Sequence, residues 1–190
     1  MKYFLGVFAV IILLIFSVVI IANRSDDVSN SSSETAQEAE FRLRDEADTT
    51  SARLVYEVRG EITGQNEHEA VRITVSPTQR KYEVLKGYEK TVTKTEIFKN
   101  NEQAYKTFLM ALDKAGYGNT QQADFEDKTG ACPLGNVFTY QFYVNSEPKV
   151  DSWSANCSDD GNFAGEERLT KTLFEKQIPE YRTLVRGVNL

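Results

Sequence analysis

Alternating apolar and polar residues predict a group of strands in the middle of the chain. The first segment is typical of a half-buried strand, because charged residues such as Glu57 and Arg59 separate the apolar positions Leu54, Tyr56, Val58 and Ile62. A second strand is predicted over 71–75, where valine and isoleucine alternate with arginine and threonine. Residues 81–100 continue as one bent strand or two short strands, with Gly87 as the interruption. The domain therefore opens with three or four antiparallel strands.

The spacing of apolar residues changes to that of a helix after residue 100. Four apolar side chains recur at the i, i+3, i+4, i+7 positions of one helical face: Tyr105, Phe108, Leu109 and Leu112. Asn100 or Asn101 can cap the start of this helix, and Gly116 can end it in a left-handed conformation. The pattern predicts one helix between these residues.

Strands return after this helix, and a second helical pattern closes the chain. Phe138, Tyr140, Phe142 and Val144 form one apolar face, and residues 150–157 return beyond a loop that contains proline. Helical spacing then begins near Glu166 with Pro179 inside it. An interior proline costs about 3 kcal/mol, so we expect a kink or two helices. The predicted order, β-β-β(β)-α-β-β-α over residues 53–190, is typical of an α+β domain in which two helices pack on one antiparallel sheet.

The N-terminal segment is the longest apolar stretch of the chain. Residues 3–22 carry no charge, and a helix of about 20 residues spans the hydrocarbon core of a bilayer. A secretory signal peptide has a shorter apolar core and a small-x-small cleavage site, whereas here bulky Ile20 occupies the outer position of the candidate site. We therefore predict that residues 1–24 form a single-pass anchor in the lipid bilayer. A secreted domain released by cleavage after Ala22 is the alternative.

A polar stretch of serine, threonine, alanine and acidic residues follows the apolar segment. Residues 25–52 cannot bury enough apolar surface to offset the entropy of ordering, so they are predicted to be a flexible linker. The charges beside the apolar segment, Lys2 before it and Arg24 after it, weakly favour an N terminus inside the cell. We predict a protein of the plasma membrane with its C-terminal domain outside the cytoplasm.

The two cysteines of the chain support the same placement. An even pair in a translocated domain is usually a disulfide, so Cys132 and Cys157 are predicted to be bonded to each other. Cys132 precedes one strand of the predicted hairpin and Cys157 ends the other, which brings them side by side. A structural role is favoured over a redox site, because the chain has no Cys-x-x-Cys pair. The alternative is a cytosolic domain with two unrelated thiols.

The sequence predicts no catalytic residue, cofactor site or metal site. The single histidine, His68, falls in a predicted turn and is interpreted as a solvated surface residue. The stretch CSDDGN, residues 157–162, lacks the ligand spacing of an EF-hand loop and is interpreted as a turn. Carboxylates are numerous, so residue type does not exclude an acid and base pair. An envelope enzyme that acts on a polymer through paired carboxylates is therefore kept as an alternative.

A basic ribbon along residues 80–99 is one predicted binding surface. It includes three lysines of the third and fourth strands: Lys86, Lys90 and Lys94. These lysines would either meet an anionic envelope polymer or protect an edge strand from pairing with other chains. The protective interpretation is favoured.

Two aromatic residues form the other predicted binding surface, on the outer face of the sheet. Tyr143 has the opposite parity to the apolar face of its strand, and Trp153 lies on the facing strand, so exposed rings there could stack on sugars or anchor a peptide. The favoured alternative is that a helix or the linker covers these rings. The net charge of −6 argues against nucleic acid as a partner. We therefore predict a membrane-anchored binding or interaction domain whose partner is an envelope polymer or a protein. These residues do not identify a protein family.

Overall fold

A computed structural model describes residues 42–46, 48–123, 127–157 and 161–190 of the chain. These residues contain six strands: β1 (Arg53–Arg59), β2 (Glu69–Val75), β3 (Gln79–Lys86), β4 (Thr91–Lys99), β5 (Val137–Val144) and β6 (Glu147–Ala155). They also contain helices α1 (Glu102–Lys114), α2 (Glu167–Glu175) and α3 (Tyr181–Leu184), and a short 3-10 helix at Leu43–Glu46. The strands form one antiparallel sheet in the order β4-β3-β2-β1-β5-β6. The predicted α+β class is confirmed, with four strands before the first long helix.

One face of the sheet is covered by helices and holds the main core. The register places apolar residues side by side across the strands, with Tyr56 of β1 between Ile73 of β2 and Tyr140 of β5. Helix α1 packs on this face through the four residues that the sequence predicts, which are all buried: Tyr105, Phe108, Leu109 and Leu112. We call this side of the sheet the helix face and the opposite side the outer face.

The ends of α1 follow the predicted signals. Asn101 is the cap, because the backbone N–H of Ala104 donates to its side-chain oxygen at 2.9 Å. Asn100 instead donates from Nδ2 to the carbonyl oxygen of Ser76 at 2.7 Å. Gly116 follows the helix with a φ of 72°, in the left-handed region that favours glycine. Of the two asparagines that the sequence offered as the N-terminal cap, Asn101 is therefore the one that caps α1.

The closing helical pattern forms two helices, because Pro179 lies between α2 and α3. Phe174, near the end of α2, is fully buried. Its ring centroid lies 5.3 Å from that of Tyr56, 5.2 Å from that of Phe108 and 5.8 Å from that of Tyr117. This aromatic cluster joins both long helices to the central strand of the sheet.

A two-residue turn joins β5 to β6. The prediction of a loop that contains proline between these strands is therefore wrong. Asn145 and Ser146 have φ angles of 51° and 71°, and positive φ at both central positions is typical of a type I′ hairpin turn. Pro148 lies inside β6. Proline is tolerated there because β6 is an edge strand, where one missing N–H need not interrupt the pairing of strands.

Residues 42–46 and 48–52 differ from the expected flexible linker. Leu43 and Ala52 are each only 1% exposed, and both belong to the main core. The 3-10 helix that contains Leu43 packs against α1. Burial of these two apolar side chains contributes to holding the segment against the domain. The packed domain therefore begins before the predicted boundary at residue 53.

The predicted anchor, residues 1–24, lies outside the described residues, as does the linker up to residue 41. Among the helices in the described part of the chain, none combines the length and apolar character needed to cross a membrane. The anchor therefore stays a prediction from the sequence.

Candidate functional site

A pocket of about 420 Å³ opens on the outer face, over the end of β1. Its floor is formed by adjacent strands, with Glu57 and Arg59 of β1 beside Thr139 and Val137 of β5 and Ala70 of β2. Its walls come from the turn between β3 and β4 and from the loop that precedes β5. We call it the outer-face pocket. Its volume falls in the range of about 300–1,000 Å³ that is typical of small-molecule sites.

Glu57 is a buried carboxylate at the floor of the pocket, and it pairs with two cationic side chains. Arg72 lies opposite it in the register of β1 and β2, and donates from Nε and Nη2 to Oε2 at 2.9 and 2.7 Å. Lys90, in the turn between β3 and β4, donates from Nζ to Oε1 at 2.6 Å. Burial raises the pKa of Glu57, but the attraction of Lys90 and Arg72 outweighs burial, so the pKa is below its ordinary value of 4.5. Both oxygens of this ionised group are therefore occupied.

Stability in acid is expected to depend on Glu57. Because the pKa is lower in the folded state than in the unfolded chain, the carboxylate contributes stability above the unfolded value and loses it as pH falls through the folded pKa. As pH falls from about 6 to about 3, the free energy of unfolding of Glu57→Gln should decrease less than that of the unmodified protein. Urea denaturation at each pH measures this difference. Glu89→Gln, at an exposed turn residue, is the control and should keep the original pH dependence. An unchanged pH dependence in Glu57→Gln would contradict this assignment.

Arg59 places a guanidinium in the pocket without a carboxylate partner in the described part of the chain. Its Nη2 donates to the carbonyl oxygen of Ala131 at 2.7 Å. The ion pairs found among the described residues do not include Arg59. Burial lowers the pKa of this group, and Tyr88 and Glu57 act against that effect. Since a guanidinium carries five N–H donors, Arg59 retains donors for a ligand.

His68 lines the pocket and is buried under an aromatic ring. Only 4% of the residue is exposed, and its ring stacks on Tyr88 with the centroids 4.2 Å apart. Its Nδ1 lies 3.0 Å from the carbonyl oxygen of Glu61, so Nδ1 carries a proton and donates it, because a carbonyl can only accept. Tyr88 is held in place by its hydroxyl, which donates to the carbonyl oxygen of Thr63 at 2.7 Å. The prediction that His68 is solvated surface is therefore wrong.

The loop before β5 forms one wall of the pocket and is fixed at several points. The predicted disulfide between Cys132 and Cys157 is confirmed, and it joins this loop to the end of β6. Beside it, the carbonyl oxygen of Ala131 accepts from Arg59, and the N–H of Ile62 donates to the carbonyl oxygen of Pro133 at 2.8 Å. The disulfide therefore positions the chain that closes one side of the site.

The residues predicted as binding surfaces do not form a single surface. Trp153 is only 4% exposed and packs with Cys132, so it does not form a binding surface, and its ring is covered by the loop at Cys132 in place of a helix or the linker. Tyr143 stacks under the guanidinium of Arg53 at 4.3 Å, near the end of β5 opposite the pocket. Of the three lysines, Lys90 lines the pocket and is paired with Glu57, while the other two, Lys86 and Lys94, are exposed outside it.

The stretch CSDDGN, interpreted from the sequence as a turn, is described by the structure only at its two ends. Residues 158–160 of that stretch lie outside the described residues. Among the residues that the structure does describe, no group of three His, Cys, Asp or Glu side chains is arranged to hold a metal ion.

Comparison with protein-family models gives no match for the chain, and comparison with curated proteins gives no relative either. The geometry of the outer-face pocket is therefore the feature of the chain that bears on its function.

Proposed function

We propose that the chain is a membrane-anchored binding protein whose domain outside the cytoplasm binds a small organic carboxylate in the outer-face pocket. The observation that carries the proposal is the half-buried guanidinium of Arg59, which lines the pocket without a carboxylate partner among the described residues. Arginine at such a position is well suited to a planar carboxylate, because its fork can form two parallel hydrogen bonds.

The charges around the pocket support an anionic ligand. Arg59, Lys90 and Lys128 line it, with Lys90 paired to the one lining carboxylate, Glu57, and with Lys128 at 4.0 Å from Asp151. Glu57 is already neutralised by Lys90 and Arg72, so it repels a second anion only weakly. The whole protein has a net charge of −6, which makes this pocket a local exception to the charge of the chain.

The remaining lining supports a ligand with an apolar body. Ala70 and Val137 form buried apolar floor, and Ile62 and Tyr88 stand at the walls. Such a pocket suits a molecule with one carboxylate and a compact apolar or aromatic part. Its volume of about 420 Å³ suits a small molecule better than a segment of polymer.

The location outside the cytoplasm rests on two features. The disulfide between Cys132 and Cys157 is typical of an oxidising compartment. The uncharged segment 3–22 has the length of a membrane-spanning helix. Together they favour a domain that is tethered at the plasma membrane and samples ligands outside the cell.

The proposal is tested by matched pairs of acids and amides. The full chain in detergent micelles is titrated with benzoate and other small aromatic and aliphatic carboxylates, and with the corresponding neutral amides such as benzamide. We expect acids to bind and the amides to bind much more weakly, because only the acids pair with the guanidinium. Equal binding of benzoate and benzamide, or no binding of any acid in the panel, would overturn the proposal.

Arg59→Gln is expected to weaken binding of the best acid by about 10- to 100-fold, since a hydrogen-bonded charge contributes about 1.5–3 kcal/mol. Calorimetric titration measures the change. Arg59→Lys keeps the charge but loses the forked guanidinium. Its affinity for the acid should lie between those of the unmodified protein and Arg59→Gln. Arg53→Gln is the matched control on the same strand, because Arg53 stacks on Tyr143 away from the pocket. Loss of binding in Arg53→Gln equal to that in Arg59→Gln would show that the effect is not local to the pocket.

An enzyme acting through paired carboxylates has less support at this pocket. Both oxygens of Glu57 are occupied by cations. Burial raises the pKa of another carboxyl, Glu175, but that residue is on α2, which packs on the helix face of the sheet. These two carboxyls lie on opposite sides of the sheet and cannot converge on one substrate bond.

A further inference from the structure

Strand β4 forms an open edge of the sheet. Within the described residues, β4 pairs with β3 on one side and with no strand on the other. The opposite edge, β6, is partly covered, because Gly161 bridges to Ser154 and the N–H of Phe163 donates to the carbonyl oxygen of Trp153 at 3.0 Å. The nine residues of β4 include two exposed apolar side chains, Val92 at 47% and Ile97 at 62% exposure. At the end of the strand the carbonyl oxygen of Lys99 accepts from Nη2 of Arg80 at 2.8 Å, and the middle of this edge is left to pair with another strand.

The hydrogen-bond pattern shows which residues of β4 point their backbone groups outward. The N–H of Asn100 donates to the carbonyl oxygen of Thr78 at 2.9 Å, which fixes the alternation along the ladder between β3 and β4. In this register Glu96 lies opposite Tyr82 and bonds toward β3. The alternate residues Thr95 and Ile97 therefore direct their N–H and C=O groups away from the sheet.

The pairing of β3 with β2 gives the same alternation of hydrogen bonds. The N–H of Ser76 donates to the carbonyl oxygen of Gln79 at 2.9 Å, so Gln79 and every second residue after it bond toward β2. Tyr82 is one of the residues left to bond toward β4. Two independent contacts thus give one assignment of the open edge.

The charges of β4 are self-complementary about Thr95. Lys94 and Glu96 flank it with side chains on the same face of the strand. In an antiparallel pair of two β4 strands with the two-fold axis at Thr95, each Lys94 lies opposite Glu96 of the second copy. A shift of the axis by one residue would instead place Lys94 opposite Lys94, or Glu96 opposite Glu96, which is unfavourable.

The geometry of this register is consistent with the backbone pattern. Thr95 would form the hydrogen-bonded pair through its outward N–H and C=O, and the Lys94–Glu96 pairs would occupy the closer, non-hydrogen-bonded positions. The ion pairs found among the described residues use neither Lys94 nor Glu96. Both side chains are therefore available to a partner strand.

From these observations we infer that two copies of the chain associate by pairing β4 with β4 across a two-fold axis at Thr95, which continues the sheet from one copy into the other. Such a contact is isologous, since each strand presents the same surface to its partner. The exposed Ile97 is then flanked by the strand of the second copy. Lysine alone would protect the edge, as the sequence suggested, but Glu96 supplies the opposite charge that lets the edge pair with itself.

Charge reversal tests this register. In the full chain in detergent micelles, Lys94→Glu places glutamate opposite Glu96, and Glu96→Lys places lysine opposite Lys94. Each variant alone is expected to raise the dimer dissociation constant at least about 10-fold, because like charges directly opposite are destabilising. A mixture of the two variants, and the double variant Lys94→Glu with Glu96→Lys, should associate as the unmodified protein does. Mass by light scattering or sedimentation gives the readout.

A backbone variant tests the edge without changing charge. Thr95→Pro removes an N–H that points away from the sheet, so the domain should fold and the dimer should be lost. Folding is checked by circular dichroism. A dimer that persists in Thr95→Pro, single charge variants that associate unchanged, a mixture that fails to restore association, or an unmodified chain that is monomeric at about 100 µM would each overturn the inference.

Discussion

Replacing Phe174 by alanine is expected to lower the free energy of unfolding by about 4 kcal/mol, the size of loss that follows from removing a fully buried phenylalanine. The ring lies between Tyr56 of the central strand and Phe108 of α1, and its edge contact with Phe108 has a centroid distance of 5.2 Å. Alanine would leave a cavity where α2 meets both the sheet and α1. The substitution therefore acts on the contact that holds the two long helices together.

Urea denaturation followed by circular dichroism measures this loss. Leu169→Ala is the matched control, because Leu169 lies on the same helix and is 45% exposed. The control should change stability by less than about 1 kcal/mol. A loss of similar size in both variants would mean that Phe174 does not lie at the centre of the core.

Removing the disulfide, by Cys132→Ser together with Cys157→Ser, is expected to cost about 3 kcal/mol on the loop-entropy account. The cysteines are 25 residues apart in sequence, and the loop between them includes the whole of β5. We also expect weaker binding of benzoate, because the chain beside Cys132 supplies the carbonyl that holds Arg59. Loss of the bond therefore affects stability and the pocket together.

The two effects are separated by comparing stability and binding under conditions where both proteins are folded. Stability is measured by urea denaturation of the unmodified and double-serine proteins, and binding by calorimetry at a temperature well below both unfolding midpoints. Chemical reduction of the unmodified protein should reproduce both changes. If the double-serine protein is as stable as the original and binds benzoate equally well, the disulfide has neither role.

Much of the fold follows from patterns that are local in the sequence. The spacing of Tyr105, Phe108 and Leu112 gives α1, because a helix must place its apolar residues on one side. Alternation of apolar and polar residues predicts β1 and β2, because successive side chains of a strand point to opposite faces of the sheet. Pro179 separates α2 from α3 as expected, because proline blocks a continuous helix.

The pocket could not be predicted in the same way, since it depends on register. Glu57 and Arg72 are charged residues on the outward parity of two strands, which was visible in the sequence, but only pairing β1 with β2 places them opposite each other. His68 is buried because Tyr88, from a different turn, covers it. Trp153 is buried because the loop at Cys132 packs on it. Each of these contacts joins segments whose proximity the sequence pattern does not encode.

The central position of β1 has a consequence for how the domain folds. Its neighbour β2 follows it closely in the chain, whereas its other neighbour, β5, begins only at Val137. The meander β1–β4 and the hairpin β5–β6 can each form by short loop closures, while joining them requires closing the long stretch that contains α1. The disulfide lies entirely within the second of these two parts. It therefore does not shorten the long-range closure, so the loop entropy lost when β5 docks on β1 is the same whether the cysteines are oxidised or reduced.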